Sequence, residues 1–143
     1  MKKTFFGVIL LVILLSSCRK YSDGPSFSLL SKKSRICNDW LLVTHTVNDE
    51  DVISQNVTSK MIIEKDGTYA ISETTESMGQ LQGEYSNGNW SFSDAKDMLY
   101  LYQNGAAKPT RTFKIKELRN KEIKLVEEFT SIDIVHTYLY IQD

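Results

Sequence analysis

The sequence predicts an all-β fold: a small up-and-down antiparallel barrel of eight or nine short strands, preceded by a short helix. Short runs rich in β-branched and aromatic residues fill the chain from residue 40 to residue 142. Turn-forming residues separate these runs at about the 8–12-residue spacing typical of sandwiches and barrels. No helical period lies between the strands, which excludes βαβ units. A meander of this kind loses its exposed edges when it closes on itself.

The N-terminus predicts export and lipidation. Lys2 and Lys3 precede the apolar run Phe5–Leu15. This run is too short to cross a bilayer core as a helix, which takes about 20 residues. A positive start, a short apolar segment and small residues before a cleavage point are typical of a secretory signal peptide. Leu15-Ser16-Ser17-Cys18 resembles the bacterial lipobox, in which the thiol takes a diacylglycerol as a thioether. The alternative is a plain signal peptide followed by a chance cysteine.

These features divide the chain into three parts. Residues 1–17 are the predicted lipoprotein signal peptide, residues 18–27 a lipidated tether, and residues 28–143 the barrel domain. A second acyl chain, such as palmitate, on the freed amine of Cys18 would hold the protein stably on a membrane. Because Arg19 rather than aspartate follows the cysteine, we expect the bacterial outer membrane, with the periplasmic or surface face left open.

Composition narrows the function classes. Without residues 1–17 the chain keeps 126 residues, with 15 basic and 18 acidic side chains and a formal charge of −3. No basic patch favours nucleic acid. Once Cys18 is lipidated, Cys37 has no cysteine partner, so a disulfide framework is excluded. Stability then comes from a hydrophobic core, for which this length suffices.

The first predicted element is a short amphipathic helix that ends near Asn38. Leu29, Leu30, Ile36 and Cys37 fall on one side of it at helical spacing. The polar stretch before the helix contains Asp23-Gly24-Pro25 and reads as a linker.

Strands and tight turns follow. Asp66-Gly67 predicts a type I′ hairpin turn, Asn87-Gly88 a second hairpin turn, and Arg119-Asn120 a third tight turn. Ser93–Asp97 and the stretch around Asn104-Gly105 predict further turns. The predicted strands are Trp40–Val47, Lys60–Lys65, Thr68–Ser72, Leu81–Ser86, Asn89–Ser93, Met98–Tyr102, Thr110–Leu118, Lys121–Phe129 and Thr130–Gln142.

This layout resembles the lipocalin-like domains of bacterial lipoproteins over nearly the whole chain after Cys18. The resemblance rests on the lipobox and on the following stretches: Asn38-Asp39-Trp40 after the helix, Lys65–Tyr69, Gly88–Phe92, Phe113–Leu118 and Glu122–Leu125. It implies a lipocalin-like barrel. Lipocalins usually place Gly-x-Trp at the first strand, and Asn38 stands at that glycine. They also bring an arginine from the last strand across this tryptophan, and no arginine follows Arg119. The resemblance therefore leaves open how the base of the barrel is closed.

His45 and His136 are the only histidines, and no ligand spacing joins them to carboxylates or to Cys37. We therefore expect no metal and no other cofactor, and ordinary barrel positions for both histidines. His136 alternates with apolar and aromatic residues in the last strand, namely Ile132, Ile134, Tyr138 and Tyr140. If that face points inward, His136 either orients a ligand or is simply hydrogen-bonded within the core. No catalytic motif is present, so we expect no enzyme.

Aromatic side chains on the strands supply the candidate ligand-binding residues, which together with His136 are Trp40, Tyr69, Trp90, Phe113 and Tyr138. They would either line a pocket for a small apolar ligand or fill the barrel, since eight short strands enclose just enough room for side chains. The sequence thus leaves two functions open. One is an envelope lipoprotein that binds a small apolar molecule. The other is an accessory lipoprotein whose barrel is a scaffold for an envelope protein partner.

Overall fold

The computed structural model describes residues 29–53 and 57–143. The predicted signal peptide, the tether and the lipidation site Cys18 lie outside the described residues. One helix, α1 (Lys32–Ile36), begins after Ser31, whose side chain accepts a hydrogen bond from the Ser34 backbone N–H. Within the described part of the chain, no helix is long and apolar enough to span a membrane.

In the described part of the chain, nine strands follow α1 and form one antiparallel sheet. They are β1 (Asp39–Val47), β2 (Glu50–Asp51), β3 (Val57–Ile63), β4 (Thr68–Ser77), β5 (Gln80–Phe92), β6 (Met98–Gln103), β7 (Arg111–Leu118), β8 (Glu122–Phe129) and β9 (Ile134–Gln142). From β3 to β9 each strand pairs with the next, and β1 pairs with both β3 and β9. Eight strands therefore close into a barrel, while β2 pairs only with the end of β1. The predicted fold class is confirmed.

Two hairpin turns have positive φ at both central residues, which is the type I′ conformation that matches strand twist. They are Asn48-Asp49, with φ of 50° and 69°, and Met78-Gly79, with φ of 52° and 74°. The predicted type I′ turn at Asp66-Gly67 is wrong, because only Gly67 has a positive φ, of 98°. Its N–H bonds to the Glu64 carbonyl at 3.3 Å, as in a type I turn followed by a left-handed glycine.

The predicted hairpin turn at Asn87-Gly88 is also wrong. These residues lie inside β5, a continuous strand of 13 residues. Gly88 pairs with Tyr69 of β4 and with Gln103 of β6. A Cβ atom at position 88 would lie 1.9 Å from the Tyr102 carbonyl oxygen. The glycine therefore permits close backbone approach in a strand rather than a turn.

A bulge in β1 decides which side chains reach the barrel interior. Leu42 pairs with Tyr140 and Thr44 with Leu139, so Val43 is one residue more than β9 provides. Alternation starting at Trp40 would turn His45 outward. The bulge restores His45 to the inner face, opposite Tyr138.

Helix α1 packs at one end of the barrel, which we call the closed end. Ile36 and Trp40 are fully buried there, and the Trp40 indole N–H donates to the Ile36 carbonyl at 2.8 Å. Arg35 is also buried and donates to the Leu118 carbonyl of β7. The predicted apolar face of the helix is only partly correct, because Leu29 is 91% exposed and Leu30 is 48% exposed. Cys37 is half-buried against the core as a free thiol.

Asn38 joins α1 to β1 without a left-handed backbone, since its φ is not positive. Its side-chain amide N–H donates to the Arg35 carbonyl at 2.9 Å, and its side-chain oxygen accepts from Gln142 at 3.3 Å. Asn38 thus ties the helix to the last strand by hydrogen bonds. Helix α1 covers the closed end, and its Arg35 bonds to β7. Lipocalins instead use an arginine from the last strand at this end.

Candidate functional site

The opposite end of the barrel, which we call the mouth, carries polar side chains on its inner face. The β1–β2, β4–β5, β6–β7 and β8–β9 connections lie at this end. Below it the interior is packed, with Leu99, Leu101, Ile123 and Leu125 at 0% exposure. A ligand would therefore meet the mouth rather than a deep apolar channel.

Five inward side chains form one hydrogen-bonded group, the mouth network: His45 of β1, Arg111 of β7, Glu127 of β8, and His136 and Tyr138 of β9. Arg111 binds both carboxylate oxygens of Glu127, at 2.7 and 3.3 Å. It also donates to the Tyr138 hydroxyl at 3.1 Å. The network spans four strands and holds its members in fixed positions.

The Arg111–Glu127 pair is electrostatically matched. Glu127 is 6% exposed, so its carboxylate depends on the guanidinium for charge compensation. Burial opposes the charge of Arg111, but the hydrogen bond and the charge of Glu127 prevail and raise the pKa of Arg111. Burial, above all, raises the pKa of the Tyr138 hydroxyl to about 12. Tyr138 therefore stays protonated beside this pair.

His45 and His136 meet across the β1–β9 seam, with His45 Nε2 and His136 Nδ1 3.0 Å apart. One ring donates the proton of this hydrogen bond, so the contact needs at least one neutral imidazole. The His45 ring also stacks on Tyr138 at 4.5 Å between centroids. Burial, followed by the charges of His136 and Arg111, lowers the pKa of His45 below 6.5.

A cavity of about 280 Å³ opens at the mouth. It lies between the first half of β5 and those ends of β6 and β7 that are nearest the mouth. Its lining includes two carboxylates, Glu73 and Glu84, which are directly paired across β4 and β5. The other lining residues are Ile71, Tyr85, Ser86, Gln103 and Arg111. The cavity is therefore small and mostly polar, with the mouth network reaching it through Arg111.

A second space, of about 510 Å³, is a groove on the outer face of the barrel. Thr44, Thr137 and Leu139 contribute to it, with Lys116 and Lys124 at its side. No group of three or more histidine, cysteine, aspartate or glutamate side chains is placed to hold a metal ion anywhere in residues 29–53 and 57–143.

No family model matches the chain, and no curated protein matches it. Among solved structures, Japanin from Rhipicephalus appendiculatus bound to cholesterol aligns with a TM-score of 0.56 over 79% of each chain. The fold is lipocalin-like. At 13% identity, this likeness concerns the fold alone.

Two further structures align with lower TM-scores. The odorant-binding protein from bovine nasal mucosa matches with a TM-score of 0.48 and 13% identity, over 82% of this chain and 77% of its own. A redesigned β-barrel matches with a TM-score of 0.49 and 13% identity, over 82% of this chain and 99% of its own.

The lipocalin-like barrel places five of the six candidate ligand-binding residues in two groups. His136 and Tyr138 belong to the mouth network. Trp40, Trp90 and Phe113 are buried in the core, and none of them lines the mouth cavity. Like Trp40, Trp90 donates its indole N–H to a backbone carbonyl. The acceptor is the Glu64 carbonyl, at 2.8 Å. The sequence leaves open whether the aromatic side chains line a pocket or fill the barrel. The positions of these three side chains correspond to filling the barrel.

Tyr69 takes an intermediate place in the lipocalin-like barrel. Its side chain is buried, and burial raises the pKa of its hydroxyl, while interactions with Thr110 and Ser86 act in the opposite direction. Ser86 lines the mouth cavity. Tyr69 therefore supports the wall of the cavity from below.

Four charged residues of the site were not identified from the sequence: Glu73, Glu84, Arg111 and Glu127. Three of them continue the period of two set by buried neighbours on the same strand. Glu73 follows Tyr69 and Ile71, Glu127 follows Ile123 and Leu125, and Arg111 precedes Phe113 and Ile115. In the sequence, a charged residue that continues an inward-facing series of apolar residues therefore indicates a charged group inside the barrel. Glu84 had none, because the predicted turn at Asn87-Gly88 interrupted its strand.

Proposed function

We propose that this protein is a lipid-anchored protein of the bacterial cell envelope whose barrel binds a small molecule at its mouth. The observation that carries the proposal is the cavity of about 280 Å³ at one end of a barrel whose other end is packed. Ligand sites are commonly concave and hold a few convergent polar groups, and the mouths of barrels are a frequent location. Japanin, which has a similar fold, is bound to cholesterol, which supports a binding role over a catalytic one.

The ligand that suits this cavity is smaller and more polar than the apolar molecule expected from the sequence. Ile71 supplies an apolar contact, while Ser86 and Gln103 supply hydrogen-bonding groups. The cavity volume of about 280 Å³ lies just below the range of about 300–1,000 Å³ typical of ligand pockets. We therefore propose a small amphiphilic ligand that lies in the mouth and does not enter the packed interior.

The proposed anchor at Cys18 suits this geometry. The described chain begins at Leu29, next to α1 at the closed end. A lipid attached through residues 18–27 would therefore hold the closed end, and the mouth would remain accessible to solutes. A periplasmic or surface location is compatible with this arrangement.

The binding proposal is tested with the whole chain in lipid nanodiscs, with empty nanodiscs as the reference. We expect 2-phenylethanol, a small amphiphilic probe, to produce saturable NMR shifts at Ile71, Ser86 and Gln103. Saturable shifts confined to the outer groove, at Thr44 and Leu139, would contradict a mouth site. Absence of any saturable shift would contradict small-molecule binding by the barrel.

The anchor is tested separately by expression in a bacterial host with an alkyne analogue of palmitate. We expect label on the wild-type chain and recovery in the membrane fraction, and loss of both in Cys18→Ser. Cys37→Ser is the matched control, because it also removes one thiol but leaves the lipobox intact. Labelling of Cys18→Ser equal to that of the wild type would refute the anchor.

A second function, interaction with an envelope protein, is favoured by one observation. Residues 80–86 of β5 pair with β4, whereas the described pairing of β5 with β6 starts only at Gly88. Leu81 and Tyr85 on this half-paired segment are 74% and 67% exposed. Such an edge can accept an extended strand of another protein. A photo-crosslinking side chain at position 81 would give a protein adduct in intact cells if this edge is an interface, and no adduct otherwise.

A further inference from the structure

The half-paired segment of β5, residues 80–86, has a backbone edge whose direction can be determined from its neighbours. Successive residues of an antiparallel strand direct their backbone groups to opposite sides. The Trp90 N–H donates to the Gly67 carbonyl, which directly precedes β4, and the Asn87 carbonyl accepts from the Asn104 N–H, which directly follows β6. Even-numbered residues of β5 therefore direct their N–H and C=O groups toward β4, and odd-numbered residues direct theirs toward the side of β6.

Three odd-numbered residues of this segment, Leu81, Gly83 and Tyr85, thus form an open edge. Within the described part of the chain, β6 pairs with β5 only from Gly88 onward. All three residues of the edge are exposed. An exposed strand edge with apolar side chains is a template for a further strand.

The segment is complementary to a second copy of itself. In an antiparallel pair centred on Gly83, Leu81 of each copy lies opposite Tyr85 of the other. On the opposite face of the sheet, Gln82 lies opposite Glu84 of the other copy, so its amide can donate to the carboxylate. Glu84 is the only charged residue of the segment, and in this register it does not oppose itself. Both kinds of cross-strand pair are stabilising.

The neighbouring registers are less favourable. A shift of two residues in one direction places Glu84 opposite Glu84 of the other copy, and like charges directly opposite one another destabilise a sheet pair. A shift of two in the other direction places Leu81 opposite Gly83, so the contacts with the tyrosine are lost. A shift of one residue would require backbone groups that already point toward β4. The register centred on Gly83 is therefore the preferred one.

We propose that the protein pairs with a second copy of itself through the half-paired segment of β5, in the register centred on Gly83. This inference rests on the proposed interaction with an envelope protein and names that protein. The ladder fits the open edge, because it runs from Gln80 to Ser86, between the turn at Met78-Gly79 and the first β6 pair. The partner's strand would lie beside the mouth cavity, whose lining includes Glu84. The second copy thus supplies a cavity wall where β6 is absent.

The proposed interface is small, so confinement on a membrane favours it. Seven residues on each side are fewer than the about 20–30 of a standard stable interface. Two chains held on one membrane meet at a raised effective concentration, which allows a weak contact to form. Antiparallel pairing directs the two closed ends away from each other, and residues 18–28 can span up to about 36–40 Å. Both proposed anchors can therefore reach the same membrane.

Disulfide formation in the membranes of a bacterial host tests the register, with the whole chain carrying Cys37→Ser. We expect Gly83→Cys to give a cross-linked dimer on mild oxidation, because directly opposed Cα atoms lie about 5.5 Å apart, within disulfide reach. The fold accepts a side chain there, since a Cβ at Gly83 would meet its nearest atom at 3.8 Å. Glu76→Cys is the matched control on the same hairpin. The β4 strands of the two copies would be about 14 Å apart, which is beyond disulfide reach.

Charge at position 82 gives a second test of the register. Gln82→Glu would place like charges opposite one another at both ends of the ladder and should lower the yield of the Gly83→Cys dimer. Gln82→Lys would oppose a positive charge to Glu84 and should raise that yield, in each case by about two- to tenfold. Within its own chain, position 82 pairs with the uncharged Thr75. Effects of opposite sign therefore report on the second copy.

The outcomes separate self-pairing from the interaction on which it rests. Equal cross-linking of Gly83→Cys and Glu76→Cys, or equal effects of Gln82→Glu and Gln82→Lys, would overturn self-pairing in this register. A photo-crosslinked adduct at position 81 should contain two copies of this chain. An adduct with a different protein would overturn self-pairing and leave the interface at this edge standing. Absence of both the adduct and the disulfide dimer would overturn the interface and self-pairing together.

Discussion

At the scale of single residues, the His45–His136 contact makes the β1–β9 seam sensitive to acid. The two rings share a hydrogen bond of 3.0 Å, and two protonated imidazoles have no acceptor with which to form it. Arg111 adds a positive charge near His45, whereas Glu73 and Asp51 add negative charges that partly offset it. The balance lowers the pKa of His45, with burial as the largest cause.

This shift predicts loss of stability on acidification. Since the folded-state pKa of His45 lies below its ordinary value of 6.5, the unfolded chain binds more protons once the pH falls below that value. The contribution of His45 is therefore complete above pH 6.5 and is lost as the pH falls toward the folded-state pKa. In His45→Gln the midpoint of urea unfolding should decline less between about pH 7.5 and 5.5 than in the wild type. Identical declines would contradict the assignment.

The residue scale also separates what the sequence predicts from what it leaves open. Alternation along the last strand predicts that His136 shares a face with Tyr138 and Tyr140 but leaves open whether that face points inward; in the structure it does, and His136 contacts His45 and Tyr138. Its partner could not be predicted, because the bulge in β1 changes the alternation before His45 is reached. The pairing of Glu73 with Glu84 at the cavity could not be predicted for a related reason. A single strand shows which residues share a face, whereas register decides which charges oppose one another.

At the scale of elements, β5 differs most from expectation. Asn-Gly is a strong hairpin pair when the chain can reverse there, and the sequence alone shows no competing demand at Asn87-Gly88. The structure supplies one, because β4 and β6 both pair with β5 at Gly88. The true reversal is Met78-Gly79, where methionine adopts a positive φ of 52° that its side chain does not favour. Tertiary pairing has overridden local turn preference at both places.

Gly88→Ala tests this account of β5. The added methyl group would lie 1.9 Å from the Tyr102 carbonyl oxygen, so the β5–β6 ladder must shift. We expect a loss of about 1–3 kcal/mol in the free energy of unfolding, measured by urea denaturation. Gly83→Ala on the same strand is the control, because its Cβ would meet its nearest atom, the Glu73 carbonyl oxygen, at an ordinary 3.8 Å. A similar loss in both variants would show that glycine flexibility, and not close approach, explains the effect.

At the scale of the whole molecule, the barrel has a packed end and a polar end. Ile36, Trp40 and Leu118 are fully buried at the closed end. The mouth instead holds ionised and hydrogen-bonded groups, an open cavity and the half-paired segment of β5. Binding sites are often built from the less stable part of a fold, since groups that must accept a ligand cannot be fully satisfied by the protein itself.

This contrast predicts a gradient of amide hydrogen exchange along the barrel axis. Amides of Leu99 and Leu125, within the packed interior, should exchange slowest, near the rate set by global unfolding. Amides of residues 80–86 should exchange fastest among the strand residues, since that segment lacks a β6 partner in the described pairing. Exchange measured by NMR on the unliganded protein checks the order. Uniform protection of both groups would contradict a stable base beneath a weaker mouth.

The extra residue in β1 also has an evolutionary consequence. Val43 has no counterpart on β9, so an in-frame deletion of its codon would leave a regular strand. Leu42 and His45 would then alternate normally and still face Tyr140 and Tyr138. Homologous chains can therefore differ by one codon at this point and keep the same histidine in the same place. A sequence alignment that forbids a gap at position 43 would match the inward histidine of such a chain to Thr44 instead of His45.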